Sequence, residues 1–367
     1  MFVIYFRTVL VSWKIYGPGK VFFSVLLGEP LLRCFHAATL WLDRIFFPGY
    51  LRMEVKRPVF IIGHPRSGTT FLHHLLTKCD QAAAFPCWHI LFPALTGRVL
   101  VGPLIRRLIN SGKAEVMPEW TGHAMALDKV EEEEMLFLHN FDTQFVTAGL
   151  LGFDEREYPE LHFHDLQPQQ RRFRSMRFLN GLFQRQIHST GKSQIIAQTH
   201  FSTHRLKTML EFYPDAKFIY IIRNPHHVVP SFLSLLHNSI EFRWGLSKIP
   251  KTMLDRYNQR RYQAIIDLYT YFHDLQTQGE IPADRVMVLP YELLRNDLET
   301  AFNRIIDFTG IRANDSLREF VTKRASTQQQ YQRKHKVKDL KEFGLSHAQI
   351  NKDFAFVFTA YDFPEDS

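Results

Sequence analysis

The stretch VFIIGHPRSGTTFLHHLL, Val59 to Leu76, decides the fold. Its short apolar run closed by glycine, Val59–Gly63, predicts a strand. The turn His64–Gly68 follows, and then a helix from Thr69 to about Lys78. Gly63 and Gly68 flank four residues, as in the turns whose backbone amides point at a phosphate from a helix N-terminus. A nucleoside-triphosphate site continues with Lys and Ser/Thr, and the lysine reaches the terminal phosphates. Here Thr69 and Thr70 stand in those places, which argues against an ATPase or kinase. Arg66 brings a fixed charge and a two-pronged donor. The hydroxyls of Ser67, Thr69 and Thr70 add further donors.

Outward from this turn, SQIIAQ (Ser193–Gln198), KFIYII (Lys217–Ile222) and RVMVLP (Arg285–Pro290) read as strands. Helices are expected at Val130–Phe141, where EEEE would suit the positive end of a helix dipole, and at Gln169–His188. Others are expected at Ser202–Tyr213 with Ser202 as cap, at His226–His237, over 251–277, and at Asp297–Thr309, stopped by Gly310. Strands separated by helices imply an α/β fold, a central parallel sheet flanked by helices. Its ligands would bind beyond the carboxyl ends of the strands. A second anion site is legible there: Arg223 ends a buried strand, and Ser231 lies eight residues on.

The 367 residues are 45% hydrophobic and 22% charged, a composition that excludes a disordered chain. The formal net charge of +8 favours an anionic partner, but the basic residues are dispersed and form no nucleic-acid module. Cys34, Cys79 and Cys87 form neither a disulfide framework nor a metal set and read as free thiols in a reducing, cytoplasmic setting. Residues 1–57 form an apolar, aromatic-rich helical leader without the layout of a signal peptide. Its apolar stretches carry Arg7, Lys14, Glu29 and Arg33, so neither is a charge-free span of roughly 20 residues. Two readings stay open: helices packed on the domain formed by 58–367, or an in-plane peripheral membrane contact.

Together, PRSGTT and RNPHHVVPS resemble the two cofactor motifs of the sulfotransferase family, in the arginine form of its diverse group with bacterial members. The resemblance runs from about residue 58 to 350 and includes LPYELLRNDLETAFNRIIDFTGI and HKVKDLKEFGLS. It implies a P-loop-like sulfotransferase fold and the sulfuryl donor 3′-phosphoadenosine 5′-phosphosulfate (PAPS), with no metal. Arg66, Ser67, Gly68, Thr69 and Thr70 would hold the 5′-phosphosulfate, Arg223 and Ser231 the 3′-phosphate, and Tyr291 would lie near the adenine. The basic tail, with Arg333, Lys334 and Lys336, would close over the 3′-phosphate.

Sulfuryl transfer needs a base for the acceptor hydroxyl, donors for the moving charge, and alignment. The resemblance implies His200 as base, at the end of IIAQTH, where cytosolic members carry Lys-Thr-His. This sequence has Gln198-Thr199-His200, so Arg66, His204 or Arg205 would have to supply the missing charge. The rival base is Glu132, in an acidic run whose other members read as a solvated helix start. The aromatic residues of 81–105, with Phe85, Trp88 and Phe92, suggest an apolar cleft and a lipophilic hydroxylated acceptor. A small-molecule P-loop kinase and a non-catalytic nucleotide-binding protein at a membrane surface are the competing readings.

Overall fold

The structure is a computed structural model that describes residues 2–328 and 337–365. Its strands are β1 (Val59–Gly63), β2 (Glu115–Met117), β3 (Met125–Ala126), β4 (Ile196–Gln198), β5 (Lys217–Ile222) and β6 (Val286–Pro290). Four of them form the central sheet in the order β4-β1-β5-β6, every pair parallel, while β2 and β3 make a small antiparallel ribbon. The longer helices are α1 (Phe2–Tyr16), α2 (Lys20–Phe46), α3 (Thr69–Leu76), α4 (Leu95–Asn110), α5 (Gln169–Thr190), α6 (Pro225–Trp244), α7 (Lys251–Thr277) and α8 (Leu298–Thr309). The expected parallel α/β architecture is therefore present, with each of its four strands where the apolar runs put it.

Alternation along the strands sorts the core into two layers, because successive side chains point to opposite faces. Phe60, Ile62, Phe218, Tyr220 and Ile222 meet α5, α6 and α7 through Leu179, Phe183, Val228, Leu233, Leu268 and Phe272. Val59, Ile61, Ile219, Ile221 and Leu289 meet α3 and α8 through Leu72, Leu76, Phe302 and Ile305. Each such aliphatic or aromatic side chain contributes about 1.5–3 kcal/mol by leaving water. A charge on β1, fully buried on both faces, would break the sheet at its centre.

Two local expectations give way to tertiary partners. The acidic run does not start an α-helix: Glu133–Asn140 is a tight 3-10 segment, and all four glutamates are buried rather than solvated. Ser202 is not a helix cap. It lies inside the 3-10 turn His200–Arg205, where its amide and hydroxyl donate to Glu134 Oε2 at 3.1 and 2.6 Å. Pro103 sits inside α4, at a position exposed to solvent. The charge run Arg333, Lys334 and Lys336 lies outside the described residues.

The leader packs on the sheet domain through polar anchors. Arg7 of α1 grips Asp154 with Nε at 2.7 Å and Nη2 at 2.5 Å. In α2, Asp43 is fully buried and accepts from the amides of Leu95 and Thr96 (3.0 and 2.7 Å) and from Arg185 Nε (2.7 Å). It thereby satisfies two of the orphan donors that open α4. Arg33 donates to the His139 carbonyl (2.9 Å) and to Glu29 (2.6 Å). The three cysteines are free: Cys34 is exposed, Cys79 and Cys87 are buried.

Candidate active site

The Gly63–Gly68 turn takes shape from two glycines whose backbone leaves no room for a Cβ. Gly63 ends β1 at φ 117°, and a Cβ there would lie 2.5 Å from the Ile221 carbonyl oxygen of β5. Gly68 opens α3 at φ 91°, and a Cβ there would sit 2.9 Å from the Tyr291 ring. Between them Arg66 is held at φ 75°, a costly conformation for a branched-chain-sized residue unless its surroundings fix it. Its surroundings do: Arg223 Nη1 donates to the Arg66 carbonyl at 2.5 Å, Arg66 Nε to Ser231 Oγ at 3.0 Å, and Arg66 Nη1 to the Gly122 carbonyl at 2.9 Å.

The second motif thus lies against the first. Arg223 follows β5, and Asn224 caps α6 by accepting from the His226 amide at 2.8 Å. Ser231 is two turns into that helix. The Arg223 guanidinium lies 3.9 Å from the centre of the Tyr291 ring, whose edge meets Gly68. Residues 66, 68, 223, 231 and 291, far apart in the chain, form one cluster at the carboxyl end of the sheet.

Beside this cluster stands a polar centre. Gln198 Nε2 lies within reach of Thr69 Oγ1 and Thr70 Oγ1, both at 3.2 Å, and of Glu132 Oε2 at 3.0 Å. Glu132 Oε2 is also 3.2 Å from His200 Nδ1, without the angle of a formed hydrogen bond. Burial pushes Glu132 up to about 8; Glu131 and Glu134 add to the rise, and His123 and His73 oppose it. Burial, with His64 and His123 adding, holds the His200 imidazole well below its usual range. The remaining glutamates are structural. Glu131 pairs with His123 at 3.0 Å. Glu133 accepts from the Gln198 amide at 2.8 Å and lies 3.2 Å from His73. Glu134 takes Ser202 and the Thr143 hydroxyl.

These groups open into one cleft of about 530 Å³. Its mouth at the turn holds Arg66, Thr69, Thr70, Glu132, Gln198 and His200; its body is apolar, with Met135, Leu138, Phe145, Phe232, Leu236 and Trp244 among the lining residues. Its other wall comes from the leader: Tyr5, Thr8, Ser24, Val25, Leu32 and His36 all face it.

A model of the family described as "Sulfotransferase family" matches residues 58–315. The chain belongs to the sulfotransferase family. Among curated proteins, the omega-hydroxy-beta-dihydromenaquinone-9 sulfotransferases Stf3 of Mycobacterium bovis and Mycobacterium tuberculosis are 25% identical over 258 residues, 69% of this chain. The match spans 63% of the length of those relatives. Among solved structures, the fold is shared with sulfotransferase STF1 of Mycobacterium tuberculosis H37Rv (TM-score 0.69, 16% identity, 96% of this chain and 91% of that one). It is also shared with STF9 of Mycobacterium avium (TM-score 0.63, 16% identity, 89% and 82%).

Within this sulfotransferase-family chain, the structure brings together Arg66, Ser67–Thr70, Arg223, Ser231 and Tyr291 on one side, and Glu132 and His200 on the other. Arg333 lies outside the described residues. Positive charge expected from His204 or Arg205 is directed elsewhere: both are buried, Arg205 against Asp142 and His204 between Gln144 and the Asp267 carbonyl. The aromatic trio of 81–105 misses the cleft, since Phe85 is core and Phe92 packs on Phe35 and His36; Ile90 and Leu91 line it instead. Sequence reasoning missed the leader wall and the Gln198 bridge. The first had a signal in the leader's aromatic content; the second had none.

Proposed function

We propose that this chain is a PAPS-dependent sulfotransferase that acts on a hydroxyl of a lipophilic acceptor, with His200 as general base. The observation that carries the reading is the fusion of two anion-binding motifs beside the Glu132–His200 pair, at the mouth of one apolar cleft. The turn suits the nucleotide: Gly68 leaves a cradle against Tyr291 that a Cβ would fill. Ser67–Thr70 would hold the 5′-phosphosulfate, and Arg223 and Ser231 the 3′-phosphate. The donor supplies an activated sulfuryl group. The acceptor oxygen would bond to sulfur as the sulfur–oxygen bond to the 5′-phosphate breaks. The hydroxyl proton would pass to the His200 nitrogen facing away from Glu132, and the departing charge would meet Arg66. Neither a lone carboxylate nor a lone imidazolium is favourable in so buried a place, but the proton on His200 beside ionised Glu132 makes a paired arrangement. The curated relatives are named for an omega-hydroxylated menaquinone; a long apolar acceptor ending in a hydroxyl suits this cleft equally.

The test is calorimetric titration of the full-length protein with PAP, the desulfated donor, with ATP in parallel. Tight PAP binding and weak ATP binding are expected. Binding of ATP without PAP would support a kinase and overturn the reading.

The leader's outer face adds a location. By length and composition, α2 could cross a membrane. Its inward face carries Arg33, His36, Thr39 and Asp43 and is fixed to the domain by Arg33 and Asp43, so it is polar toward the protein and apolar outward. Leu27, Leu31, Trp41 and Ile45 are exposed, as are Val99, Leu100 and Leu104 of the adjoining α4, with Arg44, Arg106 and Arg107 beside them. An in-plane contact with an anionic membrane surface suits this inverted pattern. Full-length protein should co-sediment with phosphatidylglycerol-containing vesicles, and Leu31→Glu with Trp41→Glu should weaken this roughly tenfold or more. Equal partitioning of wild type and variant would remove the membrane from the account.

A further inference from the structure

The cleft has a second polar place, far from the reacting end. His36 of α2 faces the cleft, is only 6% exposed, and neither of its ring nitrogens has a hydrogen-bond partner. One turn earlier on the same helix face, Arg33 Nε is also buried without one, although the rest of that guanidinium is fixed by His139, Leu138 and Glu29. The His36 ring stands edge-on to His139 at 4.7 Å, and Phe35 and Phe92 close its other sides. His139 Nε2 in turn donates to the Ile90 carbonyl at 2.8 Å. Burial, with His139 and Arg33 adding, lowers His36 to about 4, so its ring is neutral near pH 7 and offers one donor and one acceptor.

A buried donor or acceptor without a partner is costly. Three such atoms on one helix face, in an otherwise apolar wall, are a site awaiting a polar group. Their position sets a length. Glu132 precedes the 3-10 segment Glu133–Asn140, and His139 is its penultimate residue. At the 3-10 rise, the backbones of these two residues stand on the order of 14 Å apart, so the His36 ring, set against His139, lies away from Glu132.

We infer that His36, with Arg33, forms a recognition site for an oxygen carried by the acceptor at the end away from the hydroxyl that reacts. This rests on the proposed transfer to a lipophilic hydroxyl and narrows the acceptor to a class. That class is a two-ended amphiphile, with a hydroxyl at one end, an apolar spacer, and a carbonyl, ester or hydroxyl oxygen at the other. A simple fatty alcohol would fill the cleft but leave the three atoms unmatched. The two-ended molecule would be measured against these atoms as it enters, so that only one of adequate length brings its hydroxyl to Glu132 and His200.

The test compares two probes of matched length by calorimetry on the full-length protein in mild detergent: the methyl ester of ω-hydroxydodecanoic acid, and tetradecan-1-ol. Wild type should bind the ester roughly tenfold more tightly, the effect of one added buried hydrogen bond. His36→Phe should bring that ratio close to one, while His36→Asn, which keeps a donor and an acceptor, should retain most of it. A ratio near one in wild type, a ratio that survives His36→Phe, or no binding of either probe would overturn the inference. Because the readout is binding, it is independent of turnover. If PAP fails to bind while the ester preference holds, the donor assignment falls and this site stands.

Discussion

The two ends of the cleft are built on opposite principles. At the turn, the geometry comes from backbone: two glycines with positive φ, amides at the start of α3, and arginines clamped by carbonyls and hydroxyls. At the leader, the wall is made by side chains on one long helix, held in place by an ionic anchor at Asp43. The first end is continuous with the sheet and inherits its rigidity. The second is docked onto the domain and is only as well placed as its anchors. A phosphate-binding turn therefore leaves a compact signature in sequence, whereas a hydrophobic wall with a few polar atoms leaves almost none.

The contrast can be broken at either end. The largest effect is expected at the mouth. His200→Ala should lower turnover by roughly 10²–10⁴-fold with PAP affinity nearly unchanged, as for loss of a general base. Full activity in that variant, with loss in Glu132→Gln, would move the base to the carboxylate. Next is the anchor of the far end. Asp43→Ala strands Arg185 and two amides of α4, and should cost about 3–5 kcal/mol. Hydrogen exchange should show the loss of protection concentrated in α2 and the start of α4. If protection falls evenly across the sheet as well, the leader is no separate wall but part of the central core.

A smaller effect is expected from Arg223→Ala, which should weaken PAP binding by roughly tenfold or somewhat more, in line with charged hydrogen bonds. Unchanged affinity in calorimetry would separate the second motif from the nucleotide. The smallest is a matter of pH. In the proposed transfer Glu132 would have to be ionised to stabilise a protonated His200, and burial raises it to about 8. The competent form therefore accumulates as pH rises, and kcat/KM should climb about tenfold per pH unit below that value and level off above it. Glu132→Gln should abolish the climb. A flat wild-type profile from the acid side upward would show that this carboxylate does not govern the reaction.

The same contrast explains what the sequence made legible. The strands were readable because full burial on both faces forces continuous apolar runs, as in VFIIG and FIYII. The phosphate turn was readable because glycine, arginine and hydroxyls must fall at fixed spacing to use the backbone as ligand. The acidic run was misread because its meaning is tertiary: Glu133 and Glu134 sit where the chain leaves β4, and they satisfy amides of Gln198 and Ser202 that are sixty-odd residues away. Nothing local distinguishes four such glutamates from a solvated helix start. Gln198 was legible as a departure from the family's lysine, yet its contacts with Thr69, Thr70 and Glu132 required the fold. In α2 the apolar character was plain, but its inversion was not, because the inward face is defined only by Leu95, Thr96, Arg185 and His139.

The Gln198 side chain carries a small arithmetic of its own. Its amide nitrogen has two hydrogens and stands within 3.2 Å of three oxygens, those of Thr69, Thr70 and Glu132. One oxygen is always left to find a hydrogen elsewhere. A phosphate in the turn would draw the threonine hydroxyls toward itself, and the amide would then have both hydrogens to give to the carboxylate. Occupancy on one side of the amide is in this way felt as charge preference on the other, and a lysine, with three hydrogens, would have settled every claim at once.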